Sequence, residues 1–452
     1  MRSPLIFFNP QAAPALLLLE QLRGFQKQDL ESQTAAQLHQ LKALLSHAYQ
    51  HSPFWKKRLD AVGYSANSDI AQLLQTLTPL TRHDIQDEFD NLQAKWPGLN
   101  QDDIFSVASS GSTGKPVRVN RLKSIQNPLV GAYALLEGEW HKTDPNQTIA
   151  FLGFSIQNNV NASWGGIFQA LNCRGRYITR SVAEASLQSH LDWLIREKPS
   201  YLKASPFVVA QLAQLALEQN IEISLKAVIS QSEKVSATHR ALCYEAFGAR
   251  IIDRYSSEET GLISLQCPKH DHQHVMGASV IVEIVNEQGQ PCAVGEVGRV
   301  LVTNLFSYAM PLIRYDLGDL ASWGVPCDCG IHLPVISKLW GRVRNAVIHA
   351  DGSTHPMGFL GDDIGLMPNI LEFRVRQYIG RELSLELVCK QALSSIEIDT
   401  IRKIFIKDGL AGLWLYIQQP TNLLQKDNRK REEFEQVPQE WFPPEDCIKI
   451  LI

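Results

Sequence analysis

The alternation of short apolar runs with longer amphipathic segments, between about residues 148 and 255, is the feature that most limits the possible fold. Runs with the length and residue types of strands occupy residues 149–154, 201–204, 227–230 and 250–255. Between the first two runs, Leu187, Leu191 and Leu194 recur at helical spacing until Pro199 ends the pattern. Strands joined by helices of this length pair in parallel, and ligands of such sheets bind at the carboxyl ends of the strands. We therefore predict a parallel α/β sheet here.

The segments on either side have different patterns. Before residue 100, apolar residues such as Leu41, Leu44 and Leu45 recur on one helical face, which predicts a mostly helical segment. After residue 280, the strand-like runs 280–285 and 299–305 flank a turn and indicate antiparallel pairing. The sheet class is therefore expected to change along the chain.

The last part of the chain has the pattern of a small α+β unit. Leu383, Leu385 and Leu387 alternate as in a strand, and Ile401 and Ile404 mark a helix. We therefore predict an α/β protein with a large N-terminal domain at 1–341 and a small α+β C-terminal domain at 342–452. Within the large domain we expect a helical scaffold segment at 1–100, parallel α/β structure at 101–280 and mostly antiparallel β structure at 281–341.

Composition narrows the class of partner. The net charge of -4 argues against strong general attraction to nucleic acid or to an anionic membrane, because both require a basic face. The apolar run at 16–19 is too short to span a bilayer, and it lacks the features of a signal peptide. The eight cysteines are scattered, as in proteins of a reducing compartment. Small-molecule partners and a cytoplasmic location are expected.

A loop rich in glycine and hydroxyl groups is the sharpest local feature. It consists of Ser109, Ser110, Gly111, Ser112, Thr113, Gly114, Lys115 and Pro116. Backbone amides freed by glycine, together with hydroxyls and a lysine, can surround the oxygens of a triphosphate. The phosphate loop of ordinary NTPases has four residues between its glycines and Ser or Thr after the lysine, whereas this loop has two and then Pro116. A flexible Gly/Ser loop without a ligand is the alternative when this segment is taken alone.

The octapeptide resembles the phosphate-binding loop of the adenylate-forming superfamily, and three further segments follow in that family's order. The segment 255–261 resembles its tyrosine–threonine–glutamate motif, which implies that Tyr255 lies by the adenine and that Glu259 holds magnesium. Glu258 stands where many members have threonine. The segment 313–319 resembles the ribose motif, which gives Asp319 the ribose hydroxyls, and Gly341-Arg342 resembles the hinge before a mobile C-terminal domain.

Within that superfamily, the chain is most similar to phenylacetate-CoA ligases and to related adenylate-forming enzymes of capsule biosynthesis. The similarity rests on the segments 48–55 and 77–82 and on Ser232-Glu233, and it extends from about residue 40 to about residue 360. It implies that the acid lies against the parallel sheet. The residues expected to line the acid by motif position are Phe154, Trp164, Gly165, Ser205, Ser232 and Tyr255. The aromatic members of this set favour an aryl acid.

The same branch suggests a structural zinc site. Cys267, His274, Cys327 and Cys329 supply thiolate and imidazole groups, which suit tetrahedral zinc. His270 and His272 compete with His274 for the role of ligand. Reduced cysteines without a metal are the alternative, and no catalytic role is expected for the cluster.

The implied chemistry is attack of a carboxylate on the α-phosphate of ATP. Two like charges about 4 Å apart repel by roughly 4 kcal/mol at an effective dielectric near 20, so the site must cancel charge. Magnesium on Glu259, the glycine-rich loop and Lys115 are expected to do so. The family also uses a C-terminal lysine, and Lys430 stands near the right place with Lys426 as a rival. The alternative for this charged run is a solvated face.

The sequence leaves more than one candidate for the group that accepts the acyl moiety. Coenzyme A is the first choice by resemblance, and an amine or hydroxyl of a biosynthetic pathway is the second. The alternative hypothesis from a different functional class is that the chain is a non-catalytic nucleotide-binding scaffold that has lost the C-terminal lysine. The sequence thus predicts an AMP-forming ligase for a small carboxylic acid that uses ATP and magnesium.

Overall fold

The structure is a computed structural model. It describes residues 9–109, 116–154, 156–230, 233–342, 346–349, 354–356, 360–365, 367–378, 382–407, 409–420, 434–437, 440–441, 443–444 and 447–452. Among these residues, none of the helices combines the length and the apolar character needed to cross a bilayer.

The chain begins with a group of helices. They are α1 (Ala13–Phe25), α2 (Leu30–His51), α3 (Pro53–Ala61), α4 (Ile70–Thr76), α5 (Arg82–Asp87) and α6 (Phe89–Leu92). Side-chain caps define the starts of α2 to α5: for example, Asp29 accepts from the backbone N–H of Ser32 at 2.8 Å, and Thr81 forms a capping box with Asp84. The predicted face of α2 is fully buried at Leu41 and Leu44. These helices lie within the segment that was predicted to be mostly helical.

A hairpin carries the glycine-rich loop. Strand β1 (Ile104–Ala108) pairs antiparallel with β2 (Arg118–Leu122), and α7 (Lys123–His141) follows. At the base of the loop, the N–H of Ser109 donates to the carbonyl of Val117 at 2.8 Å. The N–H of Val117 donates back to Ser109 Oγ at 3.0 Å. These two bonds hold the ends of the loop together.

The predicted parallel sheet is present. Its strands are β3 (Ile149–Gly153), β4 (Asn159–Asn161), β5 (Tyr177–Ser181), β6 (Tyr201–Ala204), β7 (Ala227–Ser230) and β8 (Arg250–Ile252), in the order β4-β5-β3-β6-β7-β8. Only β4 among them runs antiparallel to its neighbour. The connecting helices are α8 (Gly166–Ala170), α9 (Leu187–Glu197), α10 (Pro206–Glu218) and α11 (Ala237–Phe247). Leu202 and Val228 pack with residues of α9 and α10 on one face of the sheet, while Tyr201 and Ile229 form a smaller cluster on the other.

A second, antiparallel sheet follows. Its strands are β9 (Arg254–Ser257), β10 (Gly261–Gln266), β11 (Gln273–Val275), β12 (Val280–Val285), β13 (Val297–Asn304), β14 (Tyr315–Trp323) and β15 (Val335–Arg342). Their order is β12-β13-β14-β15-β11-β10-β9, and β12 and β13 form the predicted antiparallel pair.

The single strand predicted at 250–255 is two strands in two sheets. β8 ends at Ile252 and pairs in parallel with β7, whereas β9 begins at Arg254 and pairs antiparallel with β10. Between them, the N–H of Asp253 donates to the side chain of Gln266 at 2.9 Å, so the chain leaves one sheet and enters the other. The antiparallel sheet therefore starts at Arg254 and not near residue 280. The local pattern could not reveal this because the partner strand lies further along the chain.

The C-terminal part builds a smaller sheet. Its elements are β16 (Ala346–Ile348), β17 (Thr354–Pro356), α12 (Leu360–Gly365), β18 (Ile370–Tyr378), β19 (Leu383–Cys389), α13 (Ser395–Lys407), β20 (Trp414–Gln418), β21 (Phe434–Val437) and β22 (Ile448–Leu451). Five of these strands pair in the order β21-β18-β19-β20-β22. Leu383, Leu385 and Ile401 belong to a hydrophobic cluster built from C-terminal residues alone. This separate core supports the domain boundary that we propose near residue 341.

Arg314 joins the helical segment to the antiparallel sheet. Its buried guanidinium donates to Glu283 Oε2 at 3.0 Å and to the carbonyl of Leu77 at 2.6 Å. The carbonyl of Arg314 accepts from the N–H of Leu80 at 2.9 Å. Because β14 begins at the next residue, these bonds fix the position of the strand that carries Asp319.

Candidate active site

Three of the residues predicted from separate motifs meet at one point. The hydroxyl of Tyr255 in β9 donates to Asp319 Oδ2 in β14 at 2.8 Å. Arg342 Nε, at the end of β15, lies 3.1 Å from Asp319 Oδ1, and the two residues are register partners. Burial and the neighbouring Asp319 carboxylate raise the pKa of Tyr255 well above its ordinary value. Tyr255 therefore remains a hydrogen-bond donor at physiological pH.

Two glycines of these motifs have backbone conformations that favour glycine. Gly318 has a φ of 71° and Gly341 a φ of 108°, both in the left-handed region. The N–H of Gly318 donates to Asp316 Oδ1 at 3.0 Å, which fixes the backbone just before Asp319. Between β14 and β15 the pairing shifts register next to Gly341. The glycines thus allow the bends that bring Asp319 and Arg342 opposite each other.

Glu259 lies in the tight turn between β9 and β10. Ser257 and Gly261 pair across the base of the turn, and Ser257 Oγ accepts from the N–H of Thr260 at 2.9 Å. Glu259 is only 9% exposed, and its carboxylate accepts no hydrogen bond from any residue that the structure describes. Carboxylate oxygens that accept no hydrogen bond from the described residues have free lone pairs, so the chemistry of Glu259 fits a hard divalent metal.

Arg121 is a site residue that the sequence analysis missed. It lies in β2, shortly after the glycine-rich loop, and its Nη2 donates to the carbonyl of Glu258 at 2.5 Å. The charges of Glu258 and Glu259 act on it, although burial is the larger influence and lowers its pKa. Arg121 ties the hairpin that carries the loop to the turn that carries Glu259. The one sequence signal was a second arginine within a short strand after the loop.

Most of the predicted phosphate loop lies outside the described residues. Ser109 is described at the end of β1, whereas Ser110, Gly111, Ser112, Thr113, Gly114 and Lys115 are not. Lys430 and its rival Lys426 also lie outside the described part of the chain. Their roles remain predictions.

Of the residues predicted to line the acid, Phe154 and Ser205 follow the carboxyl ends of β3 and β6, whereas Trp164 lies at the amino ends of the same two strands. Phe154 follows β3 and is 47% exposed. Trp164 donates its Nε1–H to the carbonyl of Gln147 at 2.8 Å and packs edge-on against Tyr201. Ser205 Oγ caps α10. These contacts give Trp164 and Ser205 structural roles, and the contact of Ser205 with a substrate remains a prediction.

Gly165 and Ser232 complete the predicted lining. Gly165 precedes α8 with a φ of 81°, a conformation that favours glycine. Ser232 lies outside the described residues.

A cavity of about 210 Å³ adjoins the turn that carries Glu259. It lies between α7 and the antiparallel sheet, not directly over the parallel sheet where the acid was expected. Its wall includes Ser256, Thr260 and Gly261 from the turn region, and Leu129 and Tyr133 from α7. The cavity therefore offers apolar surface next to the predicted metal carboxylate.

A cysteine–histidine cluster stands at the end of β10. One ligand atom from each of Cys267, His274, Cys327 and Cys329 lies within 4.8 Å of every other. The Sγ atoms of Cys267 and Cys327 are 3.8 Å apart, and Cys329 Sγ is 3.3 Å from His274 Nε2. This is the spacing expected around a tetrahedral zinc ion, whose bonds to sulfur are about 2.3 Å long.

The environment of His274 suits a metal ligand. Burial lowers the pKa of His274 to about 4, so the ring is neutral. Its Nδ1 lies 3.2 Å from the carbonyl of Leu333, and a neutral ring can satisfy that carbonyl only by carrying its proton on Nδ1. Nε2 then faces the sulfur atoms with a free lone pair. His270 instead contacts Asp328 at 2.6 Å, outside the group of four.

Comparisons with known proteins agree with these motifs. No family model matches the chain. The phenylacetate-coenzyme A ligase of Thermus thermophilus is 24% identical over 347 residues, which cover 72% of this chain and 74% of that protein. The phenylacetate-coenzyme A ligase of Escherichia coli is 26% identical over 310 residues, which cover 63% and 66%.

Solved structures have the same fold. A 2-hydroxyisobutyryl-CoA ligase in its postadenylation state aligns with a TM-score of 0.72 at 17% identity, over 92% of this chain and 91% of that one. An anthranilate CoA ligase bound to anthranoyl-AMP aligns with a TM-score of 0.52 at 18% identity, over 71% and 63%. These likenesses confirm the predicted α/β fold class. By sequence the chain is similar to phenylacetate-coenzyme A ligases, and by fold it is similar to CoA ligases that have been solved with acyl-adenylates bound.

Proposed function

We propose that the protein is an AMP-forming ligase that adenylates a small carboxylic acid with Mg-ATP and transfers the acyl group to coenzyme A. The observation that carries this proposal is the meeting of Tyr255, Asp319 and Arg342 within hydrogen-bonding distance, beside the turn of Glu259. The relatives support the same chemistry, because the proteins of similar sequence are phenylacetate-CoA ligases and the similar structures contain acyl-adenylates.

The nucleoside end of ATP is proposed to lie over Tyr255 and Asp319. A carboxylate that already accepts from Tyr255 and Arg342 is held in one orientation, and carboxylate oxygens have further lone pairs for ribose hydroxyls. Arg342 lies at the end of the last strand of the antiparallel sheet, so it is placed to link the nucleotide to the C-terminal domain. We infer that the hinge lies there.

The phosphates are proposed to lie between the glycine-rich loop and Glu259. Ser109, Ser110, Gly111, Ser112, Thr113 and Gly114 would surround the phosphate oxygens, with Lys115 and Lys430 as the cations. Magnesium, held by Glu259, would neutralise phosphate charge. Arg121 would keep the Glu259 turn in place through its bond to the Glu258 carbonyl. No general base is needed, because a carboxylic acid is already ionised near pH 7.

The acid is proposed to enter from the region between the two sheets. Phe154, Gly165, Ser205 and Ser232 stay our candidates for its outer contacts, whereas Trp164, at the amino ends of β3 and β6, does not. The cavity beside α7 offers room for the body of the acid. Leu129, Tyr133 and Leu262 give that cavity an apolar wall, which suits the hydrocarbon part of an acid.

The cysteine–histidine cluster is proposed to hold a structural zinc ion. Cys267 directly follows β10, and His274 lies in the neighbouring strand β11. Cys327 and Cys329 come from the segment before β15. A zinc ion on these four residues would fasten that segment to β11, the neighbour of β15 in the sheet. We also propose a cytoplasmic location, which the eight free cysteines support.

A product assay with a panel of acids tests the proposed function. Purified protein is incubated with ATP, magnesium and each acid, with and without coenzyme A, and products are identified by mass spectrometry. We expect AMP and pyrophosphate with some acids, and an acyl-CoA when coenzyme A is present. An adenylate that transfers only to an added amine or alcohol would change the acceptor, and no pyrophosphate with any acid would refute the proposal.

A further inference from the structure

Lys203 is a half-buried lysine that the proposed reaction does not yet use. It lies in β6, one residue before the carboxyl end of the strand, between Phe151 of β3 and Ile229 of β7. Its Nζ is 4.8 Å from the centre of the Phe151 ring. Within the part of the chain that the structure describes, the ammonium makes no hydrogen bond and no ion pair. Lysines removed from water normally have an acidic partner, so this one calls for an explanation.

The charges around Lys203 do not balance. The charged groups that act on it are Arg254 and Glu137. The carboxylate of Glu137 is already taken, because it accepts from Arg254 Nε at 2.6 Å and also from Arg254 Nη2. Burial first, and then the Arg254 charge, lower the pKa of Lys203 to about 8, so the group is still mostly protonated at pH 7. Two cations and one anion leave one positive charge without a counterion.

This excess charge borders the proposed acid site. Glu137 and Arg254 form part of the wall of the cavity beside α7, together with Ser256 and Thr260 of the Glu259 turn region. Lys203 lies within the electrostatic reach of that charged pair, near the carboxyl end of β6, and ligands of such sheets bind at the carboxyl ends of the strands. Positive charge is therefore present both on the cavity wall, at Arg254, and near the carboxyl end of β6, at Lys203.

We propose that Lys203 selects carboxylic acids that carry a second negatively charged group, such as a second carboxylate. The inference rests on the proposed ligase function and narrows its substrate class. An acid with a second carboxylate would supply the missing counterion while its first carboxylate is adenylated. A monocarboxylic acid would cover the ammonium without giving it a counterion, which costs binding energy.

Matched pairs of acids test this inference. Each pair has one carbon skeleton with either a carboxylate or a methyl group at the far end, for example succinate with butyrate, and 4-carboxyphenylacetate with 4-methylphenylacetate. We expect the wild-type protein to release pyrophosphate with a higher kcat/KM for the dicarboxylate of at least one pair, by about tenfold or more. Lys203→Met should remove that preference and leave the KM for ATP unchanged. Lys203→Arg should restore part of it.

Lys226→Met is the matched control. Lys226 is an exposed lysine just before β7, at the opposite end of the same sheet, and its replacement should not alter the preference. Circular dichroism and melting temperature show whether each variant is folded. Equal or better use of the monocarboxylates by the wild-type protein would overturn the inference while leaving the proposed function intact. Equal loss of activity by Lys203→Met on all acids would also overturn it.

Failure of the proposed function gives a different result. If no acid releases pyrophosphate, calorimetric binding of the same acid pairs to the folded protein still tests Lys203. Tighter binding of the dicarboxylate, lost in Lys203→Met and kept in Lys226→Met, would support the inference without the ligase reaction. Equal binding of both members of every pair would refute it.

Discussion

Glu258 and Glu259 are adjacent in one tight turn, yet their side chains have different surroundings. Glu258 is exposed, whereas Glu259 is buried without a hydrogen bond from the described residues. We expect Glu259→Gln to reduce pyrophosphate release by about a hundredfold or more, because the metal carboxylate is lost. Glu258→Gln, the matched control, should stay within a few-fold of the wild type. Steady-state pyrophosphate release and melting temperature measure both, and full activity of folded Glu259→Gln would contradict the metal assignment.

Lys203 also makes a prediction about stability. Its pKa is lowered from 10.5 to about 8, so the folded protein binds this proton less well than the unfolded chain does. Protonated Lys203 therefore costs stability below pH 8, and the cost disappears as the pH rises from about 8 toward 10.5. Lys203→Met should raise the free energy of unfolding at pH 7 by about 1 to 3 kcal/mol. Denaturant melts at pH 7 and pH 10 measure this, and a stability gain that does not shrink at pH 10 would contradict it.

The motif residues were predictable one by one, but the supporting residues were not. Tyr255 and Asp319 were assigned from short segments, and the structure joins them by a 2.8 Å hydrogen bond. Arg121 and Lys203 belong to no local motif. Their significance depends on charged neighbours more than fifty residues away along the chain, such as Glu258 and Arg254, which no single segment reveals.

At the scale of elements, the join between the helical segment and the antiparallel sheet depends on Arg314. We expect Arg314→Met to destabilise the protein by about 3 to 5 kcal/mol, because it leaves the Glu283 carboxylate buried without its partner. Arg196→Met is the control, since the Arg196 side chain is exposed and its pair with Glu197 should contribute less than about 1 kcal/mol. Urea unfolding followed by tryptophan fluorescence compares the two. Equal shifts of the unfolding midpoint would contradict the role given to Arg314.

Local pattern identified most elements but not every border between sheets. The alternation of strands and helices correctly predicted the parallel pairing of β3, β6 and β7, because each crossover helix has its own apolar face. The break at Asp253 was missed because it depends on a bond to Gln266 and on pairing with β10. Non-local pairing of this kind leaves no periodic signal in the segment itself.

At the scale of the whole molecule, the cysteine–histidine cluster predicts a bound metal. We expect one zinc ion per chain by elemental analysis of protein purified without chelator. The double change Cys327→Ser with Cys329→Ser should lose the metal and lower the melting temperature by several degrees, because a metal site stabilises the fold that forms it. Cys173→Ser, outside the cluster, is the control. A structural metal would be contradicted if the wild-type protein contained no zinc and the double variant melted at the same temperature as the wild type.

The central claim for the whole molecule is that separate segments hold one ATP so that a carboxylate attacks its α-phosphorus. The most direct test follows oxygen: an acid labelled with 18O in its carboxylate is incubated with ATP, magnesium and coenzyme A, and the products are analysed by mass spectrometry. Transfer through an acyl-adenylate predicts AMP that contains one 18O and pyrophosphate that contains none. Formation of ADP and phosphate, or of AMP without label, would contradict it.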